Sequence, residues 1–184
     1  MHHDQRHIEK IIKGCKKNKR KAQNAFYQLF YSYALSICMR YANDRDDAVE
    51  IMNDGFMKVF QYIKKFDTSK PIKPWLRRIM INSSIDHFKK HKATTTQEVS
   101  LDQAATTSFE PVDQASYDEL LAIVRKLPPA YRTVFNLYAI EGYGHKEIAT
   151  LLGISEGTSK SNYAKAKKKL QAYLDIFFEL ELKS

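Results

Sequence analysis

The sequence predicts an all-α protein with two small helical domains joined by a flexible acidic linker, the second domain ending in a helix-turn-helix. Three observations support this fold class. Apolar residues recur at helical spacing in both halves of the chain, no strand-like alternation competes with that period, and a stretch in the middle shows no period. The length of 184 residues suffices for two small domains.

The first domain, predicted over residues 1–92, contains three amphipathic helices. The first two begin near residues 25 and 46, and the third follows a loop at 66–74. Their apolar residues recur three or four positions apart, which places them on one face of each helix. The predicted core residues are Phe26, Leu29, Phe30, Tyr33, Ile37 and Tyr41 in the first helix, Ala48, Met52, Phe56, Val59, Phe60 and Ile63 in the second, and Trp75, Ile79, Ile85 and Phe88 in the third.

The segment 93–116 is predicted to be the flexible acidic linker. Between residues 93 and 124 the chain has no Lys or Arg but has six acidic residues, and much of this stretch is polar and rich in threonine. Polar segments without a helical or strand period are typical of tethers between domains. The linker therefore separates two basic, helical halves.

The second domain, predicted over residues 117–184, contains four helices, and the last two form the helix-turn-helix. The stretch "EIATLL" stops at Gly153, because a residue just past a helix end often needs positive φ. Ser155 is then placed to cap the next helix. In that helix Ser159, Tyr163, Ala166 and Leu170 follow a helical spacing that predicts its buried stripe.

The last helix presents a face suited to the DNA major groove. Its exposed side is small near the start and cationic further along, so the backbone can approach base edges while lysines reach phosphates. A solvated lysine face on a surface helix is the alternative, but the glycine turn in register favours DNA binding. The candidate contacts are Thr158, Lys160, Ser161, Asn162, Ala164 and Lys165.

Charge and composition limit the function classes. A formal net charge of +9 favours a polyanionic partner, since such a field attracts phosphates. Cys15 and Cys38 belong to no Cys-x-x-Cys pair or zinc-spaced cluster, so we expect reduced thiols and no metal or other cofactor. No apolar run has the length of a membrane span, the N-terminus lacks a signal-peptide core, and no catalytic constellation is visible. We expect a cytoplasmic binding protein and no enzyme.

Three segments carry a resemblance to a known family. They are "DDAVEIMNDGFMKVF", "FDTSKPIKPWLRRIMINSSIDHFKK" and "LPPAYRTVFNLYAIEGYGHKEIATLLGISEGTSKSNYAKAKKKL". With these three segments in this order, the chain resembles bacterial RNA polymerase sigma factors of the extracytoplasmic-function group over nearly its whole length. The resemblance implies a transcription initiation factor whose first domain binds core RNA polymerase and opens the minus-10 promoter element, while the second binds the minus-35 element as duplex. It leaves open whether an anti-sigma factor also binds the chain.

The resemblance gives a role to an acidic ridge in the first domain. Asp47, Glu50 and Asp54 are spaced three and four residues apart, so they lie on one face of a helix in an otherwise basic protein. A solvated face with intrahelical ion pairs is the alternative. The resemblance implies that this ridge, with Asn53 and Met57 beside it, docks on core RNA polymerase.

The loop 66–74 and the following helix correspond to the part of the family that captures a base flipped from the nontemplate strand. Extrusion of a base costs a few kcal/mol, which a pocket returns through stacking and hydrogen bonds. Asn82 suits such a pocket because its amide both donates and accepts. The candidate minus-10 contacts are Arg77, Arg78, Asn82, Asp86, Lys89 and Lys90.

The chain departs from the family at several positions. Gly144 stands where Ser or Thr usually caps the first helix of the DNA-binding motif, and Ser159 stands at a usually aliphatic position. Lysines such as Lys165 replace arginines, which predicts looser base readout and a larger share of phosphate anchoring, because lysine cannot make the two-pronged contact to guanine.

Other classes of DNA-binding protein also end in a helix-turn-helix. A serine recombinase or a response regulator would need βα units in the first half, where no strand pattern occurs. A helix-turn-helix transcriptional regulator that acts as a dimer, without integral association with polymerase, remains the alternative. It predicts binding to a palindrome without polymerase.

Overall fold

A computed structural model describes residues 2–94 and 117–181, with side chains over 6–91 and 121–176. Within these ranges the chain forms α-helices and no strand, as predicted. The predicted linker, 93–116, lies outside the described residues except for its first two positions, which end a helix. The helices are α1 His2–Lys16, α2 Arg20–Cys38, α3 Arg45–Tyr62, α4 Ile72–Thr94, α5 Tyr117–Arg125, α6 Pro129–Phe135, α7 His145–Leu152 and α8 Glu156–Glu181.

The chain divides into two compact units, residues 1–87 and 88–184, with the boundary inside α4. In the first unit the ring of Phe26 is fully buried and lies 4.7 Å from that of Phe30. Most of the predicted stripes of α2 and α3 are buried, which confirms their helical period. Leu29 is an exception, because 43% of it is exposed.

The buried face of α4 differs from the predicted one. Its core residues are Ile72, Leu76, Met80, Ile81 and Ile85, whereas the predicted Trp75, Ile79 and Phe88 are only half-buried. The ring of Trp75 packs on Phe66, with centroids 5.0 Å apart. The buried stripe is therefore displaced by about one residue from the predicted stripe, and the aromatic residues border it.

Helix α1 was not among the predicted helices, although its apolar residues follow the helical period. Ile11, Ile12 and Cys15 are buried against the rest of the unit. Gly14 permits close contact with α2, since a Cβ at this position would lie 2.5 Å from the Cβ of Ala22. Burial raises the pKa of the Cys15 thiol to about 11.

The second unit places α7 and α8 on a core that includes Val134, Leu137, Ile148 and Ala166. A π-helical turn, Asn136–Ile140, follows α6 where the sequence predicted a continuous α-helix. Half-buried Tyr173 and Leu174 extend the apolar stripe of α8 within this unit. Across the described ranges, no helix combines the length and the apolar character needed to cross a bilayer.

Candidate nucleic-acid and partner interfaces

The helix-turn-helix turn has the predicted geometry. Gly153 ends α7 in the left-handed region, at φ 65° and ψ 41°, which explains why glycine is favoured there. Ser155 Oγ then accepts a hydrogen bond of 2.9 Å from Thr158 N, the predicted cap of α8. The corner between the two helices is thus determined by local sequence.

Ser159 stands where the family usually has an aliphatic residue, and a hydrogen bond between the two helices explains why a serine fits there. Ser159 is fully buried, and its Oγ lies 3.0 Å from Nδ1 of His145 in the first turn of α7. The imidazole also stacks on Tyr138, with centroids 4.3 Å apart and an interplanar angle of 12°. A polar residue is tolerated in this buried stripe because it has a partner.

The Gly144 departure is compensated from within α7. Gly144 has no side chain to cap the helix, but its own N–H donates to Oε2 of Glu147 at 2.8 Å. This is the reciprocal half of a capping box, and the acidic side chain in the first turn also favours the helix dipole. The start of α7 therefore depends on Glu147.

The outward face of α8 exposes most of the predicted DNA contacts. Thr158, Lys160, Ser161, Ala164 and Lys165 are exposed, and Asn162 is half-buried. Lys160 Nζ pairs with Glu156 at 2.7 Å, and its hydrogen bond and charge lower the pKa of that carboxyl.

Lys165 Nζ lies 5.9 Å from the centroid of the Tyr131 ring. This contact holds the ammonium group near α6, since a cation is attracted to the face of an aromatic ring. The ammonium group can leave it at modest cost to reach a phosphate, because exposed cation–π contacts contribute only about 0.5–1 kcal/mol.

Helix α4 carries the predicted minus-10 contacts along one exposed face. Arg78, Asn82, Asp86, Lys89 and Lys90 are exposed and recur at helical spacing, so their side chains project from the same side of the helix. Half-buried Arg77 lies on the neighbouring side. The helix thus presents an amide between flanking cations, as capture of a base and its phosphates requires.

Asp86 differs from its neighbours because it pairs within the first unit. Its Oδ2 lies 2.7 Å from Nζ of Lys58 on α3. This exposed pair ties α3 to α4 but contributes little stability, about 0–1 kcal/mol. Contact with a base edge by Asp86 would have to compete with Lys58.

The loop predicted over 66–74 is helical from Ile72 onward, where α4 begins. Its part before α4 is ordered by two sets of hydrogen bonds. Asp67 Oδ1 accepts from Ser69 N at 3.0 Å and from Ser69 Oγ at 2.8 Å, which forms an Asx turn. These bonds, with the charges of Lys70 and Lys16, lower the pKa of Asp67. Lys16 Nζ also donates to the carbonyl of Phe66 at 2.6 Å. Sequence reasoning did not single out Lys16, because its partner lies 50 residues away.

The face of α3 predicted to dock on polymerase is mostly exposed. Glu50, Asn53, Asp54 and Met57 are all exposed, and 71% of the Met57 surface is accessible. Asn53 Oδ1 accepts a hydrogen bond of 3.2 Å from the hydroxyl of Tyr27 on α2. The exposed thioether of Met57 adds flexible apolar area beside these carboxylates.

Asp47 differs from the other ridge residues because its carboxylate is engaged inside the unit. Oδ2 accepts from the backbone N of Asn43 at 3.1 Å and from its side-chain amide at 2.9 Å. Oδ1 lies 3.0 Å from Nε2 of His87 on α4, and only 18% of the Asp47 side chain is exposed. Asp47 therefore joins the start of α3 to α4, a connection across 40 residues that spacing along one helix could not reveal.

Comparisons with known proteins identify the family. Residues 26–94 match the family described as Sigma-70 region 2, and residues 117–170 match Sigma-70, region 4.

The chain is 30% identical over 151 residues to the ECF RNA polymerase sigma factor SigM of Bacillus subtilis, covering 79% of this chain and 91% of that protein. It is 27% identical over 180 residues to SigW of the same organism, covering 91% and 96%. A third relative is the RNA polymerase sigma-H factor of Pseudomonas aeruginosa, 25% identical over 187 residues, with 93% of each chain covered. With both regions in order and an identity of 30% over most of both proteins, the chain belongs to the ECF sigma factors of RNA polymerase.

Proposed function

We propose that this ECF sigma factor uses three separate surfaces in transcription initiation. Glu50, Asn53, Asp54 and Met57 on α3 bind core RNA polymerase, the exposed face of α4 binds the opened minus-10 element, and α8 binds the minus-35 element as duplex. The observation that supports this division best is the placement of the side chains, because each set is exposed on a different helix. The chain thereby directs polymerase to promoter DNA.

The polymerase surface depends on Glu50 and Asp54 more than on Asp47. Their carboxylates are exposed, whereas that of Asp47 is held by Asn43 and His87. Exposed acids give a partner of opposite charge a fast and specific encounter, and the exposed Met57 adds apolar area that adapts to the partner. We assign Asp47 an indirect role, since it holds the start of α3 in position.

Recognition of the minus-10 element requires a single strand. Asn82 reads the edge of an unpaired base, while Arg78, Lys89 and Lys90 hold adjacent phosphates. Because the Asx turn at Asp67 and the bond from Lys16 already order the preceding loop, less conformational entropy is lost when the base enters.

Recognition of the minus-35 element uses the duplex. The first turn of α8 has short side chains at Thr158 and Ser161, which allow the backbone to approach base edges. Lys160 and Lys165 extend from the same helix and bind phosphates as point charges. The affinity of this contact should therefore depend strongly on salt.

The chain itself contributes binding and strand opening, and the polymerase carries out the phosphoryl transfer. Since its partner is the transcription machinery, the protein acts in the cytoplasm. No cofactor enters this mechanism. The alternative, a dimeric regulator independent of polymerase, is disfavoured by two sigma-70 regions in one chain and would require a palindromic site.

Reconstitution with core polymerase tests the assignment of α3. The purified chain is expected to form an equimolar complex, and Glu50→Lys with Asp54→Lys should weaken it by at least about tenfold, because each reversal places like charges together. Arg45→Glu, an exposed charge reversal on the same helix, is the matched control. Equal affinity of the double variant and the wild type would disprove the docking surface, and binding of a palindrome without polymerase would favour the regulator.

A further inference from the structure

A dense cationic surface lies where α1 ends and α2 begins. We call it the cationic corner and define it by the exposed lysine and arginine residues of the segment 13–21. No acidic residue occurs between these positions. Its members are Lys13, Lys17, Lys19, Arg20 and Lys21, and half-buried Lys16 lies among them.

The fold places the cationic corner beside the loop that precedes α4. Lys16 Nζ donates to the Phe66 carbonyl at 2.6 Å, so the end of α1 touches the start of this loop. The pKa of Asp67 is lowered by hydrogen bonds from Ser69 and by the charges of Lys70 and Lys16, which places both ammonium groups near one carboxylate. The 3₁₀ turn Ile63–Lys65 adds the exposed Lys64 and Lys65. Asp67 is the sole acidic residue of the loop 66–74.

Part of this charge works against the fold. Lys13 and Lys16 occupy the last turn of α1, where cations favour the helix dipole. Arg20 and Lys21 occupy the first turn of α2, which has no acidic residue, and the N-cap Lys19 makes no side-chain cap. A cation at a helix start is unfavourable, because it meets the positive end of the helix dipole. Local stability therefore does not explain this half of the corner, whereas an anionic partner would.

We propose that the cationic corner binds the phosphates of the single-stranded nontemplate DNA that continues from the base captured at the loop 66–74. The inference rests on the proposed function of that loop and of Asn82. Because Lys16 contacts the start of this loop, a strand that leaves the loop toward the end of α1 would place its next phosphates beside Lys16 and along the corner. The N-terminus of α2 lies within the corner and adds its partial positive charge.

The corner supplies affinity without sequence information. Phosphate contacts fix the position of a strand, whereas base edges specify its sequence. Each neutralised phosphate on a single strand contributes about 0.7 to the slope of log affinity against log salt. The corner should therefore act equally on any single strand, while Asn82 acts only on strands that carry the minus-10 element.

The test uses the holoenzyme and two labelled single-stranded oligonucleotides. One carries a minus-10 element obtained by selecting a randomised pool on the holoenzyme, and the other is its scrambled version. The corner variant is Lys17→Gln with Lys19→Gln and Lys21→Gln, which leaves Lys16 in place. The control removes the same charge elsewhere, with Arg45→Gln, Lys146→Gln and Lys168→Gln.

The corner variant should weaken both oligonucleotides by the same factor. If each of the three lysines neutralises one phosphate, the salt slope becomes shallower by about 2, and affinity at about 0.1 M salt falls by about 100-fold. The control variant should keep the wild-type slope. A corner variant with the slope and affinity of the control overturns the proposal.

Two further readouts separate this proposal from its neighbours. If the corner variant binds core polymerase more weakly without DNA, the surface docks on polymerase and the proposal is wrong. Asn82→Ala should weaken only the oligonucleotide that carries the element. If Asn82→Ala has no effect while the corner variant lowers the slope, the base-capture assignment fails and the corner remains.

Discussion

Single side chains connect the two helices of the DNA-binding motif. Ser159 on α8 and His145 on α7 form a hydrogen bond of 3.0 Å in a stripe where an aliphatic residue would ordinarily pack. Their pairing holds the outward face of α8 at one angle to α7. The departure at Ser159 is thus matched by its partner on the neighbouring helix.

We predict that Ser159→Ala destabilises the α7–α8 pair by about 1–3 kcal/mol, because the His145 Nδ1 loses its partner in a partly buried site. Hydrogen exchange of the α7 and α8 backbone amides measures this loss of stability, because the amides of a less stable helix pair exchange faster. Ser161→Ala, close by on the same helix and exposed, should change it by less than about 0.5 kcal/mol. Equal protection in both variants would show that the bond contributes nothing.

Asp47 and Lys16 show which residue-scale features the sequence could not reveal. The sequence predicted an acidic ridge from the spacing of three carboxylates, but the carboxylate of Asp47 contacts Asn43 and His87. Lys16 meets the carbonyl of Phe66. These partners lie 40 and 50 residues away along the chain. Only tertiary packing brings them together, so no local sequence pattern could indicate the contacts.

At the scale of helices, the apolar period located α3 and α8 well, whereas α2 begins at Arg20, before its predicted start near residue 25. The same period occurs in α1, where Ile11, Ile12 and Cys15 are buried. This helix was not predicted because histidines and lysines surround its apolar residues in the sequence. The π-helical turn Asn136–Ile140 was not predicted, because a single turn of this kind leaves no period of its own in the sequence. Sequence patterns therefore give the existence of helices more reliably than their register.

The contact between α1 and α2 makes Gly14 a critical position. We predict that Gly14→Ala destabilises the first unit by about 1–2 kcal/mol, since overpacking costs about 1–3 kcal/mol and the gain in helix propensity offsets at most about 1. The Cβ of Ala22, 2.5 Å from the new methyl, has no rotamer that relieves the clash. Urea unfolding followed by Trp75 fluorescence measures the change.

The control for that measurement is Lys10→Ala, an exposed change on the same helix. It should alter the unfolding free energy by less than about 0.5 kcal/mol. If Gly14→Ala raises the unfolding free energy as alanine does in an isolated helix, α1 and α2 are not in close contact at this point.

At the scale of the whole molecule, its excess of positive charge is distributed over surfaces with separate tasks. In the division proposed above, lysines of α8 bind the duplex, cations of α4 flank Asn82 on the single strand, and the cationic corner continues the path of that strand. The exposed acidic residues of α3 are assigned to a protein partner instead. The sequence predicted the all-α fold and the helices that carry these surfaces, whereas the corner became apparent only when the fold joined α1 to the loop 66–74.

The division between the two DNA sites is tested by exchanging one residue in each. With polymerase bound, Lys165→Ala should weaken a duplex carrying the minus-35 element by about 1–2 kcal/mol, less if Lys165 touches only phosphate, and spare a single-stranded minus-10 oligonucleotide. Asn82→Ala should do the reverse, with a loss of about 1–3 kcal/mol, because stacking alone then compensates for exposing the base.

The decisive measurement is the affinity of both variant holoenzymes for both DNAs at one fixed salt concentration. Arg45→Ala, which removes an exposed cation on α3 outside both surfaces, should bind each DNA as the wild type does. Two losses, each confined to its own DNA, are the predicted result. If Lys165→Ala and Asn82→Ala weaken duplex and single strand alike, α8 and α4 do not divide the promoter between them.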